Sequence, residues 1–150
     1  MKPCAPPRLV VLALAALAWA GACHAGQRAP RVRVADGELL GLHEGAVDAF
    51  LGVPYAAAPV GVNRWRAPQP MRPWHGLRSA RHFAPSCLQK PASQGIGPWS
   101  PEYLVHGPLS ENCLYLNIWL PAHPVRPLPV MVWLPGGAFI SGSGSVPIYN

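Results

Sequence analysis

Alternating hydrophobic and polar positions predict short β-strands in the first third of the chain. RVRVADGELLGL (31–42) alternates on both sides of Asp36-Gly37, which predicts a β-hairpin with those two residues at its turn. AVDAFLGVPYA (46–56) predicts another strand, which ends at Pro54.

Two apolar blocks follow nearer the C-terminus. CLYLNIWLP (113–121) carries a strong strand pattern, and VMVWLP (130–135) is apolar almost throughout, which predicts a strand covered on both faces. GGAFISGSGS (136–145) comes directly after it. Glycines at such a point let the backbone approach a phosphate, an oxyanion or another strand closely.

The connecting segments have no clear helical or strand period. Residues 57–89 are rich in proline, arginine and tryptophan, which predicts an ordered loop pinned by Trp65 and Trp74. Residues 90–109 predict an exposed excursion. The chain contains no internal repeat and no convincing amphipathic helix, so we expect mostly strands and ordered loops.

Residues 1–25 have the layout of a secretory signal peptide, with basic residues first, an apolar run (9–20), and small residues up to a cleavage position at Ala25. The run is too short for a comfortable membrane span, which favours a cleaved signal peptide over an uncleaved anchor. We expect no membrane association after cleavage. Residues 26–150 would then belong to a secreted or periplasmic protein. A bacterial lipoprotein with Cys23 as the lipidated residue is the alternative.

Two cysteines remain after the signal peptide, Cys87 and Cys113. An even pair in an exported protein predicts one disulfide. Closing a loop of that length would stabilise the fold by about 3 to 4 kcal/mol. Two free buried cysteines are the alternative.

Composition and charge argue for a packed protein with a solvated basic surface. The formal net charge is +6, but the basic residues are scattered, and no zinc-finger spacing or RNA-binding signature accompanies them. We therefore expect no nucleic-acid partner. The chain has 20 prolines and 15 glycines, yet half of it is apolar and it contains six tryptophans, which disfavours disorder.

The glycine loop matches no nucleotide-binding pattern. It has no lysine, which a P-loop requires after its glycines. A dinucleotide-binding loop needs G-x-G-x-x-G at the start of a helix, and Gly142-Ser143-Gly144 lacks the third glycine. A turn that merely needs small residues stays open as a purely structural alternative.

Three stretches together resemble the type-B carboxylesterase/cholinesterase family. Residues 50–89 are similar to its N-terminal block, F-L-G-[IV]-P-Y-A through P-[VL]-G-x-x-R-[FW] and P-x-P-x-x-x-W-x-G to a Cys-x-Gln. SENCLYLNIWLP (110–121) resembles S-E-[DN]-C-L-Y-L-N-[IV], and 130–145 resembles the strand and glycine loop V-M-V-W-I-H-G-G-G-F-x-x-G-S. All three occur in the family's order and spacing, and the resemblance covers roughly residues 30–150.

The resemblance implies an α/β class, the N-terminal part of an α/β-hydrolase fold, and hydrolysis of small-molecule carboxylic esters through a Ser–Glu/Asp–His triad without a cofactor. The backbone N–H groups of Gly137 and Ala138 would stabilise the oxyanion, with Gly136 allowing a tight path. Ala138 replaces the third glycine of the usual pattern, and Pro135 replaces His or Tyr. A methyl at Ala138 is tolerable because the backbone N–H does the work.

The resemblance also gives structural roles to two residue pairs. It implies an ion pair between Arg64 and Glu111, since a buried glutamate without a partner is costly. Cys87 and Cys113 match the family's first disulfide. The histidines after the signal peptide are expected in loops or turns, without metal-ligand spacing, so no metal site is expected.

The catalytic nucleophile is missing from this sequence, which contains no G-x-S-x-G elbow. We therefore interpret the chain as the N-terminal portion of a secreted type-B carboxylesterase, inactive alone because the nucleophile, acid and base lie beyond residue 150. The alternative is a non-catalytic, cholinesterase-like secreted binding protein. The sequence carries no information on oligomeric state.

Overall fold

The computed structural model describes residues 28–90 and 100–149, which form short strands joined by ordered loops, with no α-helix in these ranges. The strands are β1 (Arg31–Val34), β2 (Gly37–Leu40), β3 (Leu42–Glu44), β4 (Val47–Pro54), β5 (Leu77–Ser79), β6 (Ser86–Cys87), β7 (Leu109–Ser110) and β8 (Tyr115–Pro121). Single-turn 3₁₀ helices cover Gly61–Asn63, Pro101–Tyr103 and Pro147–Tyr149. This composition confirms the expected mixture of strands and ordered loops.

The first sheet is built on the predicted N-terminal hairpin. β1 pairs antiparallel with β2, and β5 joins β2 in parallel. The two turn residues are Ala35 and Asp36, one position earlier than predicted, because Gly37 already lies opposite Val34 in the ladder. The Trp74 indole packs against Gly37, where a Cβ atom would lie 2.5 Å from the ring, and its Nε1 donates to the Glu38 carbonyl at 3.1 Å.

The second sheet joins β3, β4 and β8 in antiparallel order, which confirms the strands predicted at 46–56 and 113–121. Its register shifts between Phe50 and Val53 of β4. Gly52 lies within this irregularity with φ +69°, and a Cβ atom there would lie 2.8 Å from the His82 carbonyl oxygen. Glycine is therefore needed, since it tolerates both the backbone angle and the close approach.

Both sheets contribute to a small core of Leu39, Phe50, Val53 and Ala80, against which Trp74 and Leu120 pack. Trp74 thus anchors the 57–89 loop as predicted. The same prediction for Trp65 is wrong, because 93% of that residue is exposed. The guanidinium carbon of Arg64 lies instead 5.9 Å from the centroid of the Trp65 ring.

The strand predicted at 130–135 is absent. These residues have no ladder partner, and Val130, Met131, Val132 and Leu134 are each at least 76% exposed. A strand needs neighbours that satisfy its backbone and cover its side chains. Among the described residues, the only ring contact to this run is from Tyr149, 5.7 Å from Trp133.

Several sequence predictions fall outside the described residues. The signal peptide at 1–25 and Cys23 lie there entirely, and the excursion at 90–109 lies there in part. Within 28–90 and 100–149, no helix is long and apolar enough to cross a bilayer. One histidine differs from the loop placement: His43 lies in β3, where its Nδ1 donates to Asp48 at 2.6 Å.

Candidate functional site

The glycine loop turns sharply at its start. The Gly137 carbonyl accepts from the backbone N–H groups of Ile140 at 2.9 Å and Ser141 at 3.1 Å. Residues 136–140 are exposed. The Gly137 carbonyl is therefore satisfied within the turn, while residues 136–140 face solvent.

Glycine is required at position 137 by the path of the loop. A Cβ atom at Gly137 would collide with the Ser141 carbonyl oxygen, and φ there is +154°. Gly142 lies under a similar constraint, since its Cβ would lie 2.5 Å from the Gly136 carbonyl oxygen at φ +139°. Gly136 itself has open space around a Cβ position. The path of the loop therefore excludes a Cβ atom at Gly137 and at Gly142 but not at Gly136.

Ala138 and Phe139 are both left-handed, with φ of +51° and +60°. For residues with a Cβ, this conformation costs about 1–2 kcal/mol each, and such outliers cluster at functional sites. Among the described residues, no group accepts a hydrogen bond from the N–H of Gly137 or Ala138. Both residues are exposed, and neither of their N–H groups donates to a described residue.

Gln89 contacts the far end of the loop. Its Oε1 accepts from the Gly142 N–H at 2.8 Å, and its Nε2 donates to the Gly142 carbonyl at 3.1 Å. The same Nε2 donates to the Cys87 carbonyl at 3.0 Å. Cys87 is disulfide-bonded to Cys113 and pairs with Ser110 in the β6–β7 ladder. The loop is thus tied to a cross-linked part of the fold.

Asn117 forms a second tie, in the middle of β8. Its Oδ1 accepts from the Gly52 N–H at 2.9 Å, and its Nδ2 donates to the Gly144 carbonyl at 3.1 Å. The register shift in β4 lies opposite Asn117. The asparagine therefore satisfies a strand N–H in the irregular part of the ladder and links this sheet to the glycine loop.

Three serine hydroxyls complete the contacts. Ser86, which is buried, donates to Ser143 at 2.7 Å and lies 3.3 Å from the Ser145 hydroxyl. Ser143 and Ser145 lie 2.9 Å apart. Neither loop serine has a histidine hydrogen-bonded to it within the described residues, so these hydroxyls hold the loop and do not form a nucleophile–base pair.

The structure also brings Arg64 and Glu111 together, with Nη1 and Oε1 2.7 Å apart. Their side chains are 55% and 35% exposed. The expectation of a buried glutamate is therefore wrong. A pair this exposed contributes about 0 to 1 kcal/mol to the stability of the fold.

Sequence reasoning missed Gln89, Asn117 and Ser86 as residues that contact the loop. A signal was present for two of them. Asn117 is the one polar residue inside an apolar strand pattern, and Gln89 closes the Cys-x-Gln stretch. Nothing in the pattern around Ser86 indicates its burial. Within 28–90 and 100–149, no three His, Cys, Asp or Glu side chains are grouped as metal ligands would be.

Comparison of the sequence with known proteins places the chain in a family. A sequence profile described as "Carboxylesterase family" matches residues 28–150. The fumonisin B1 esterase of Sphingopyxis macrogoltabida is 46% identical over 112 residues, which cover 71% of this chain and 19% of that protein.

Two cholinesterases are also similar to this chain. The cholinesterase of Mus musculus is 42% identical over 125 residues, 80% of this chain and 20% of that protein. The acetylcholinesterase of Bungarus fasciatus is 40% identical over 112 residues, 71% of this chain and 18% of that protein. The chain therefore spans about a fifth of the length of these curated relatives.

Proposed function

We propose that this chain, which belongs to the carboxylesterase family, supplies the oxyanion-stabilising loop of a serine ester hydrolase. Hydrolysis of an ester by a serine nucleophile passes through a tetrahedral intermediate with a negatively charged oxygen. Backbone N–H groups fixed around that oxygen lower the barrier, because they do not have to reorganise during the reaction. The N–H groups of Gly137 and Ala138 take this role.

The observation that carries the proposal is the state of those two donors. They lie in an exposed turn with left-handed backbone at Ala138, and they donate to no described residue. Elsewhere in the loop, side chains of Gln89 and Asn117 satisfy the backbone. The backbone of Gly142 and Gly144 is thus held by side chains, whereas the N–H groups of Gly137 and Ala138 donate to no described residue. Such an arrangement supports their role as donors to a developing anion.

The nucleophile and its acid and base partners come from other sequence. No G-x-S-x-G elbow occurs in these 150 residues, and Ser143 and Ser145 are bonded to each other and to Ser86. We place the nucleophile elbow and the acid and base beyond Asn150. Residues 28–150 alone are then inactive.

The substrates are small-molecule carboxylic esters, and the protein acts outside the cytosol. The relatives are named as a fumonisin B1 esterase, a cholinesterase and an acetylcholinesterase, which supports an ester as the substrate. The Cys87–Cys113 disulfide suits an oxidising compartment. Residues 1–25 are proposed to direct export.

The test is to sequence the coding DNA past the codon for Asn150 and to express the complete open reading frame. We expect a Gly-x-Ser-x-Gly elbow downstream and hydrolysis of short-chain p-nitrophenyl esters that is abolished when the elbow serine is replaced by alanine. A complete protein that has no elbow serine, and that binds but does not cleave esters, would instead establish the non-catalytic binding protein.

A further inference from the structure

We infer that Gln89 is a positioning residue for the oxyanion loop, an inference that rests on the proposed function of Gly137 and Ala138. Gln89 touches neither of them. Its side-chain amide instead exchanges two hydrogen bonds with the backbone of Gly142, at 2.8 and 3.1 Å. This pairs both backbone groups of one loop residue with a single side chain.

Gly142 is the residue through which that restraint reaches the donors. A Cβ atom on Gly142 would lie 2.5 Å from the Gly136 carbonyl oxygen and 3.8 Å from the Gly137 Cα. The backbone of Gly142 is therefore packed directly against the two residues that precede Ala138. Restraining Gly142 therefore restrains Gly136 and Gly137 at the start of the turn, and with them the direction of the Gly137 and Ala138 N–H groups.

The same side-chain amide of Gln89 is also hydrogen-bonded to the end of β6. Its Nε2 donates to the Cys87 carbonyl, and Cys87 is cross-linked to Cys113. The amide group consequently bridges a covalently constrained strand and the loop. A positioning residue needs such a rigid support, because catalytic donors lose effect when their geometry loosens.

Only a carboxamide fits this place. Gln89 accepts once and donates twice at the same time, and its two acceptors are carbonyl oxygens at 3.0 and 3.1 Å. A carboxylate has the same shape but no proton to donate when ionised. Gln89→Glu would therefore keep the bond from Gly142 N–H and replace both donated bonds by repulsion between oxygens.

The test compares Gln89→Glu with Gln69→Glu in the complete protein. Gln69 is the matched control because it is exposed and, among the described residues, its side chain donates only to Ala67, two residues away. We expect Gln89→Glu to lower kcat for a p-nitrophenyl ester about tenfold or more, less than the loss from deleting an oxyanion donor outright. KM should change little, because the loop donors act chiefly in the transition state.

Two further readouts separate positioning from general stability. The affinity for an aryl trifluoromethyl ketone, which forms a tetrahedral adduct with the serine, should fall by the same factor as kcat. Amide hydrogen exchange of residues 136–145 should quicken in Gln89→Glu, while that of β4 and β8 stays unchanged. Gln69→Glu should match the wild type in all of these.

Each outcome decides one of the two proposals. If the wild type is inactive but Gln89→Glu loosens the loop, the positioning role stands and the esterase function fails. If the wild type is active and Gln89→Glu alters neither kcat nor exchange in the loop, the inference is wrong. Gln89→Met, which removes the bonds without adding charge, replaces Gln89→Glu if the latter does not fold. If both variants unfold globally, Gln89 is merely structural and the inference is also wrong.

Discussion

The side-chain amide of Gln89 faces the backbone of Gly142 as one residue of an antiparallel ladder faces another, accepting at 2.8 Å and donating at 3.1 Å. The two residues are 53 positions apart in sequence. This contact joins the end of the 50–89 stretch to the glycine loop. Asn117, in the 110–121 stretch, also donates to the Gly144 carbonyl, so hydrogen bonds link all three stretches that resemble one family.

The first prediction concerns the steric constraint at the start of the loop. Gly137→Ala would place a methyl group against the Ser141 carbonyl and force the turn open. In the complete enzyme we expect kcat to fall about 100-fold or more, since the donors would leave their positions. Steady-state kinetics with a p-nitrophenyl ester measures this directly.

Gly136→Ala is the comparison for that variant. A Cβ at Gly136 has no neighbour within 4 Å, so its methyl group meets no steric barrier among the described residues. We expect a clearly smaller loss of kcat than for Gly137→Ala. Equal losses would show that the contact with Ser141 does not control the loop.

The local sequence pattern correctly predicted two strands of the second sheet. Residues 46–56 and 113–121 alternate or run apolar, and each has a partner strand within the described chain. The run at 130–135 carries as strong a pattern but forms no strand. Pattern specifies what a segment can become, whereas pairing depends on neighbours that lie elsewhere in sequence.

The candidate site could also be predicted from the sequence only in part. Gly137 and Ala138 follow from the resemblance, because backbone chemistry needs only the right loop. The contacts of Gln89 and Asn117 span 53 and 65 residues, and no local period encodes them. Trp65 and Trp74 show this limit, since one of two tryptophans in the same loop is 93% exposed while the other is partly buried against the core.

Asn117 provides the second prediction. Asn117→Leu keeps the approximate size of the side chain but leaves the Gly52 N–H and the Gly144 carbonyl without their partners. Loss of partners costs about 1–3 kcal/mol for fully buried polar groups; because these groups are part-buried, we expect the free energy of unfolding to fall by about 1 kcal/mol. Urea denaturation followed by tryptophan fluorescence measures the change.

The control is Asn112→Leu. Asn112 is exposed, and within the described part of the chain its side chain accepts only from the Tyr115 hydroxyl, which water can satisfy instead. We expect its free energy of unfolding to stay within about 0.5 kcal/mol of the wild type. A similar loss in both variants would argue against a special role for Asn117.

The disulfide supplies the third prediction. Cys87 and Cys113 are separated by 26 residues, so opening the bond frees a loop whose closure entropy is worth about 3–4 kcal/mol. We expect Cys87→Ser/Cys113→Ser to lower the free energy of unfolding by that amount. Dithiothreitol should destabilise the wild type similarly and leave the double variant unaffected. A wild type indifferent to the reductant would contradict this assignment.

The last prediction concerns the exposed apolar run. Val130 and Val132 are 88% and 76% exposed within a segment that has no ladder partner. Unpaired backbone beside apolar side chains favours edge-to-edge association, so residues 28–150 expressed alone should self-associate in light scattering. Val130→Lys/Val132→Lys should suppress this, because charges on an edge oppose pairing. Val125→Lys, at a residue 97% exposed outside the run, should change nothing.

In the complete protein the double variant should instead prevent folding if the run becomes a strand covered on both faces, whereas a stable, active double variant would show that the run stays exposed there.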